Sequence, residues 1–289
     1  MKFSIQRYLG RMIFGLTVLG LISCSSAPKR PAEVFTVRNM AETQLELANQ
    51  AADRGRYEEA LDMLQEARRL AVSVDNPRLL ILEGIARGNI LYAQGYSGEA
   101  EAFWLNALGE AEAAGELELA GAVRIYMARS RLLAETAPAE AVRDQVRQEI
   151  AAMKTEKLYI AFGWIVIGLA ERASGRWAEG EAAILQALAF HEKNNYLEKA
   201  AEDWYLIASI RSVSGQYDAA LEALGKAIGF DRRSENSYGL GTDWRAMGDV
   251  YKKAGGEKDA LTAYRRSIDI FSSIDLEREA ADVESRLPK

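Results

Sequence analysis

Small residues recur along this chain every 40 positions, and the apolar and polar positions between them follow a helical spacing. Windows of 40 starting at residues 41, 81, 121, 161, 201 and 241 make the pattern plain. Their eighth place reads Ala48, Gly88, Ala128, Gly168, Ala208 and Gly248. Their twentieth reads Ala60, Ala100, Glu140, Gly180, Ala220 and Ala260, and their twenty-seventh Ala67, Ala107, Arg147, Ala187, Ala227 and Ser267. Small side chains there let two antiparallel helices approach closely, each accepting a bulky neighbour such as Leu61, Leu64, Leu221 or Leu224. The fifteenth place holds Gly55, Gly95, Gly175, Gly215 and Gly255, with Glu135 in the third window. Glycine suits a left-handed residue that ends one helix and turns the chain back. Each window therefore predicts a helix–turn–helix that cannot bury its apolar face alone, so the units stack.

These residues resemble the tetratricopeptide repeat. Trp244-Arg245-Ala246-Met247-Gly248-Asp249-Val250-Tyr251 is similar to its W-x-x-L-G-x-x-Y opening, and Trp164 and Trp204 repeat the tryptophan. Gly215 to Ala220 and Gly55 to Ala60 are similar to its central turn and second helix. The family unit usually has about 34 residues; a 40-residue unit resembles a subclass with a longer second helix and an extra turn before the next unit. The resemblance implies an all-α, right-handed solenoid of about six units over residues 38–289. A polar capping helix is expected over Leu276 to Leu287, with Glu277, Arg278, Glu279, Asp282, Glu284 and Arg286 facing water. The third unit departs in its second half, at Glu135, Glu140 and Arg147; Thr136 is its expected cap, and Pro138 lies near the start of its second helix.

The chain begins differently. Lys2, Arg7 and Arg11 precede an apolar or small run from Met12 to Ile22, too short to span a bilayer and followed by Cys24, Ser25 and Ser26. Leu21-Ile22-Ser23-Cys24 resembles the lipobox of bacterial lipoproteins. That resemblance implies a signal peptide over residues 1–23, lipid attachment at Cys24, and an acylated tether over residues 24–37. Ser25, rather than aspartate, resembles lipoproteins sorted to an outer membrane facing the periplasm. Several acyl chains would make the anchor essentially permanent.

Composition narrows the chemistry. Removal of the leading segment takes three basic residues and no acid, moving the net charge from −6 to −9. So acidic a protein lacks the basic footprint of a nucleic-acid binder. Cys24 is the only cysteine and His191 the only histidine, so zinc sites of ordinary composition and disulfides are not expected. His191, beside Glu192 and Lys193, is expected to be solvated. Gly239-Leu240-Gly241 lacks the third glycine of a dinucleotide fingerprint, and no phosphate loop occurs. Neither an enzyme nor a cofactor is expected.

In the repeat family, set places of each first helix line the concave face. Here they give Leu45 and Asn49; Ile85, Asn89 and Tyr92; Ile125, Tyr126 and Arg129; Phe162, Ile165 and Arg172; Tyr205 and Ser209; Arg245 and Asp249. Asn49, Asn89, Tyr92, Tyr126, Arg129, Phe162, Arg172, Tyr205, Arg245 and Asp249 are the expected groove. Rings supply buried area, amides hold backbone and arginines hold acids. Tyr92, Tyr126 and Tyr205 are expected to meet one bound segment. Family members that clamp a chain-terminal carboxylate carry Lys, Asn, Asn, Lys and Arg at five places where this chain has Leu45, Asn49, Ala86, Ala122 and Tyr126, so that clamp is not expected. The two resemblances together imply a non-enzymatic, membrane-anchored periplasmic scaffold for a protein partner of the cell envelope. The alternative is an accessory lipoprotein that handles a small ligand for a transporter.

Overall fold

A computed structural model describes residues 35–287. The expectations placed on the signal segment, Cys24 and most of the tether lie outside the described residues. Among the described residues there are thirteen helices and no strand. They are α1 (Thr36–Asp53), α2 (Tyr57–Ser73), α3 (Pro77–Ala93), α4 (Ser97–Ala114), α5 (Leu117–Leu133), α6 (Ala139–Ala152) and α7 (Lys157–Ala173). There follow α8 (Trp177–Lys193), α9 (Leu197–Val213), α10 (Tyr217–Ser234), α11 (Ser237–Lys253), α12 (Glu257–Ser273) and α13 (Glu277–Glu284). Helices α1 to α12 form six antiparallel pairs in a right-handed α-solenoid, and α13 caps its end. No helix among the described residues is long and apolar enough to cross a membrane.

The small-residue rule holds at atomic level. A Cβ on Gly168 would lie 2.5 Å from Ile184, and one on Gly248 would lie 2.5 Å from Tyr264. Each large side chain sits at the twenty-fourth place of its own unit, where Leu64, Trp104 and Leu224 are also buried. Thus the eighth place of the first helix is the socket for the twenty-fourth place of the second. Gly55, Gly95, Gly175, Gly215 and Gly255 all have positive φ, and so does Glu135 at φ 55°. At Gly215 the N–H donates to Ser212 O and the next N–H, of Gln216, donates back to Arg211 O at 2.8 Å, which closes the helix end. The added length per repeat differs from expectation. Second helices run 17 or 18 residues outside unit 3, and first helices begin four or five positions before the window starts, so both are lengthened.

Unit 3 is irregular in its second helix alone. Helix α6 has 14 residues and starts directly after Pro138, whose fixed φ of −59° suits a helix entry. Thr136 does not cap it; its hydroxyl donates to Arg131 O. The late start moves the buried positions to Val142, Val146 and Ile150, leaving Glu140 and Arg147 exposed. Met153 is extended after α6, and the connection to α7 is held by Glu118, which accepts the N–H groups of Thr155 at 2.9 Å and Glu156 at 3.0 Å. Those amides, Glu156 first, depress the Glu118 carboxyl to about 2.

The superhelix is tight enough to meet itself. Asp53 and Arg54, at the end of α1, pair with Lys199 at 2.7 Å and Glu198 at 3.0 Å on α9. Arg54 also donates to Ser234 O, and Gly55 faces the ring of Tyr238 so closely that a Cβ would lie 2.8 Å from it. Tyr57 adjoins Tyr238 and Glu279. The turn of unit 1 therefore rests against units 5 and 6. The capping helix is shorter than expected, and of its six expected surface residues Glu279 and Arg286 are half-buried.

Candidate functional site

Most of the expected groove residues fall into two separate places. The first is an aromatic cluster of units 2 to 4. Tyr126 stacks on Phe162 with ring centres 4.3 Å apart, and lies 6.1 Å from Trp104 and 6.3 Å from Tyr159. Tyr92 joins through Trp104 at 5.6 Å. The Arg129 guanidinium lies 5.6 Å from the Tyr92 ring centre and 6.0 Å from that of Phe162, within cation–π range. The Trp104 N–H donates to Asn89 Oδ1 at 3.1 Å, so Asn89 serves the cluster rather than a visiting backbone. Burial pushes the Tyr126 phenol above its ordinary value, against the pull of Lys199, an Asn89 hydrogen bond and Arg129. Lys199 and Asp53, of the contact between units 1 and 5, are thus near enough to act electrostatically on the Tyr126 phenol.

The second place is an open cleft between α7, α9 and α11, of about 140 Å³. Arg172, Tyr205, Ser209, Ser212, Asp249 and Lys253 line it, above an apolar floor that includes Ala208, Leu224, Ala246 and Val250. Successive first helices present their ninth, twelfth or thirteenth places here, because stacking sets equivalent positions side by side. Tyr205 accordingly shares no site with Tyr92 and Tyr126, contrary to the expected single row of tyrosines.

Most of the other groove residues serve contacts within the chain. Leu45, Ile85, Ile125 and Ile165 are buried in the core. Arg245 pairs with Asp282 of the capping helix at 3.4 Å. Asp249 receives Arg286 at 2.9 Å and the Tyr264 hydroxyl at 2.8 Å. Asn49 is exposed on α1 and belongs to neither place.

His191 is a correction. It is buried, not solvated, and its Nδ1 lies 2.6 Å from Asp203 Oδ2. Burial, against the pull of His191, raises the Asp203 carboxyl to about 6. Twelve-residue spacing repeats one unit on: Asp231 and Asp243 are both buried, and burial lifts Asp231 to about 7 while Asn236 donates to it at 3.0 Å. Asp243 is raised by burial and by Asp231. The thirty-first place faces the third place of the next unit. A charged residue at both is the signal that could have located these pairs. Among the described residues no group of three or more His, Cys, Asp or Glu side chains is arranged to hold a metal.

No protein-family model and no curated protein sequence matches the chain. Solved structures do. One is Bacillus thuringiensis PlcR in complex with the peptide PapR7 and DNA, at 15% identity and a TM-score of 0.60 over 77% of this chain and 83% of that one. A Rap protein complexed with competence and sporulation factor matches at 14% identity and TM-score 0.57, over 86% and 74% of the two chains. PilW, a type IV pilus biogenesis factor, matches at 14% and 0.50, over 84% and 97%. At such identities the likeness is one of fold, and the fold is that of tetratricopeptide-like helical repeats.

Proposed function

We propose that this protein is a non-enzymatic repeat scaffold, anchored to the periplasmic face of a bacterial outer membrane through lipid on Cys24, that holds a protein segment on its concave face. The cleft between α7, α9 and α11 carries the reading. Three successive first helices converge on one open trough whose polar groups stand on an apolar floor, an arrangement suited to backbone and side chains of a partner. The fold is shared with PlcR, solved in complex with the peptide PapR7 and DNA, and with a Rap protein, solved with competence and sporulation factor. An open, charge-lined cleft of this size suits a polypeptide better than a small apolar ligand, which favours a closed, dry pocket. The apolar run ending at Cys24 supports the anchor.

The experiment is site-specific photo-crosslinking in intact cell envelope. A crosslinker at Ser209, in the cleft, should capture a partner, and one at exposed Gln186 on α8 should not. Capture from Gln186 alone would move the binding surface to the second helices. Release of the Cys24→Ser chain from membranes, with its helix content unchanged, tests the anchor.

A further inference from the structure

We infer that the cleft of units 4 to 6 recognises a carboxylate borne by the bound protein segment, with Arg172 and Lys253 as its two anchors. The inference rests on the scaffold reading and names the chemistry the trough selects.

Several arginines near this end of the solenoid are paired with acids. Arg176 pairs with Glu171, Arg211 with Glu181 at 2.6 Å, Arg245 with Asp282 and Arg286 with Asp249. Among the described residues Arg172 makes no ion pair, and its Nε is buried with no hydrogen-bond partner. Buried donors are normally satisfied, so an orphaned guanidinium N–H at the wall of a cleft marks a place for an acceptor. Lys253 is similar. Its ammonium carries three donors and, among the described residues, reaches only the Ser212 hydroxyl, at 3.3 Å.

The acid of the cleft does not neutralise them. Asp249 is held by Arg286 and by the Tyr264 hydroxyl. Two cations therefore face a trough whose one acid, Asp249, is already paired with Arg286 and Tyr264. The whole chain is acidic, with a net charge of −6, so two unpaired cations at one cleft stand out as a place for an acidic group. Size narrows the class. About 140 Å³ is below the roughly 300–1,000 Å³ of typical small-molecule sites, and fits a single carboxylate-bearing side chain or chain end. Guanidinium and ammonium would both donate to its oxygens, with the Tyr205 and Ser209 hydroxyls beside them. This position differs from the first-unit clamp, which Leu45 and Ala86 make unexpected.

The test follows the Arg172 Nε–Hε resonance by NMR in the folded chain. Three probes are titrated: N-acetylglutamate amide, with a side-chain carboxylate; N-acetylleucine, with a chain-end carboxylate; and N-acetylglutamine amide, with none. At least one carboxylate should give a saturable shift of this resonance below about 50 mM, weakened about tenfold or more in Lys253→Met and unchanged in Lys226→Met. The carboxylate that binds tells a side chain from a chain end. No saturation by either, or equal binding of the uncharged amide, overturns the inference. So does saturation that Lys253→Met leaves intact. Crosslinking from Ser209 without any carboxylate effect would sink this inference and leave the scaffold standing. A carboxylate effect without concave crosslinking would do the reverse.

Discussion

Asp53 and Lys199 meet at 2.7 Å although 146 positions separate them. With Arg54 and Glu198 beside them they join the first unit to the fifth, so the solenoid is closed on itself by charge as well as by the Gly55–Tyr238 contact. Both pairs are only partly buried, with 38% of the Lys199 side chain and 28% of the Asp53 side chain exposed. Pairs of that kind contribute about 0–1 kcal/mol each and weaken with salt. The closure is therefore adjustable, and its charges act on the Tyr126 phenol.

Reversing both cations, with Arg54→Glu and Lys199→Glu, sets four acids together at this seam. The expected result is a larger radius of gyration in small-angle scattering with helix content retained. Restoring opposite charge through Asp53→Lys and Glu198→Lys should bring back the parental value. An unchanged radius in the reversed variant would show that packing alone closes the solenoid.

The socket at the eighth place makes a sharper prediction. Gly168→Leu drives a side chain into Ile184, and Gly248→Leu into Tyr264. Each should cost about 1–3 kcal/mol or more, read as a fall in denaturant midpoint. Leu at exposed Glu59 should stay within about 0.5 kcal/mol. Equal losses at all three would mean that the eighth place is not where the paired helices touch.

Most of this framework is legible in the sequence because each unit repeats the same packing problem. Ala48, Gly88 and Gly168 state that problem through their spacing alone. What the repeat does not convey is the small rotation between units, accumulated over five of them, which brings Asp53 to Lys199. A concave place in the sequence says which side of a unit a residue occupies, not how far away the opposite wall stands. His191 escapes the sequence for a related reason: its neighbours Glu192 and Lys193 are solvated, but its own contact, Asp203, belongs to the next unit. Unit 3 announces its irregularity through Glu140 and Arg147, yet the two-residue delay of α6 becomes visible only with Pro138 in place.

Glu135 offers a stabilising change. It occupies the left-handed region at φ 55°, where a side chain is strained and glycine is at ease. Glu135→Gly should raise stability by up to about 1 kcal/mol, and Gly215→Ala at φ 81° should lower it by a similar amount. Thermal melts of the two variants, moving in opposite directions, check this.

The pH dependence has two arms. Asp203 at about 6 and Asp231 at about 7, with Asp243 also raised by burial, hold protons in the folded state that the unfolded chain releases near pH 4. Folding then becomes less favourable as pH rises from about 4 through 7. Glu118, depressed to about 2, works the other way: its contribution is present above about pH 4.5 and lost as pH falls toward 2. Melting temperature should thus be greater near pH 5 than at pH 8, and fall again in acid. Asp231→Asn should flatten the upper arm and leave the lower one; an unaltered upper arm would mean that Asp231 does not contribute to it.

Tyr126 separates a structural aromatic from a binding one. Its ring is stacked on Phe162 and ringed by Trp104 and Tyr159, and its hydroxyl region is buried beside Lys199. Truncation to alanine should therefore destabilise the chain by about 3 kcal/mol, in the range for large buried aromatics. Asn49→Ala, at an exposed concave position, should change stability by less than about 0.5 kcal/mol. Urea denaturation of the two variants distinguishes the cases. Equal midpoints would show that the cluster does not hold units 2 to 4 together, and Tyr126 would return to the set of free groove residues. A lowered midpoint for Tyr126→Ala alone would mean that partner loss in that variant reports unfolding, so that contact mapping must rely on Ser209 and Arg172 instead.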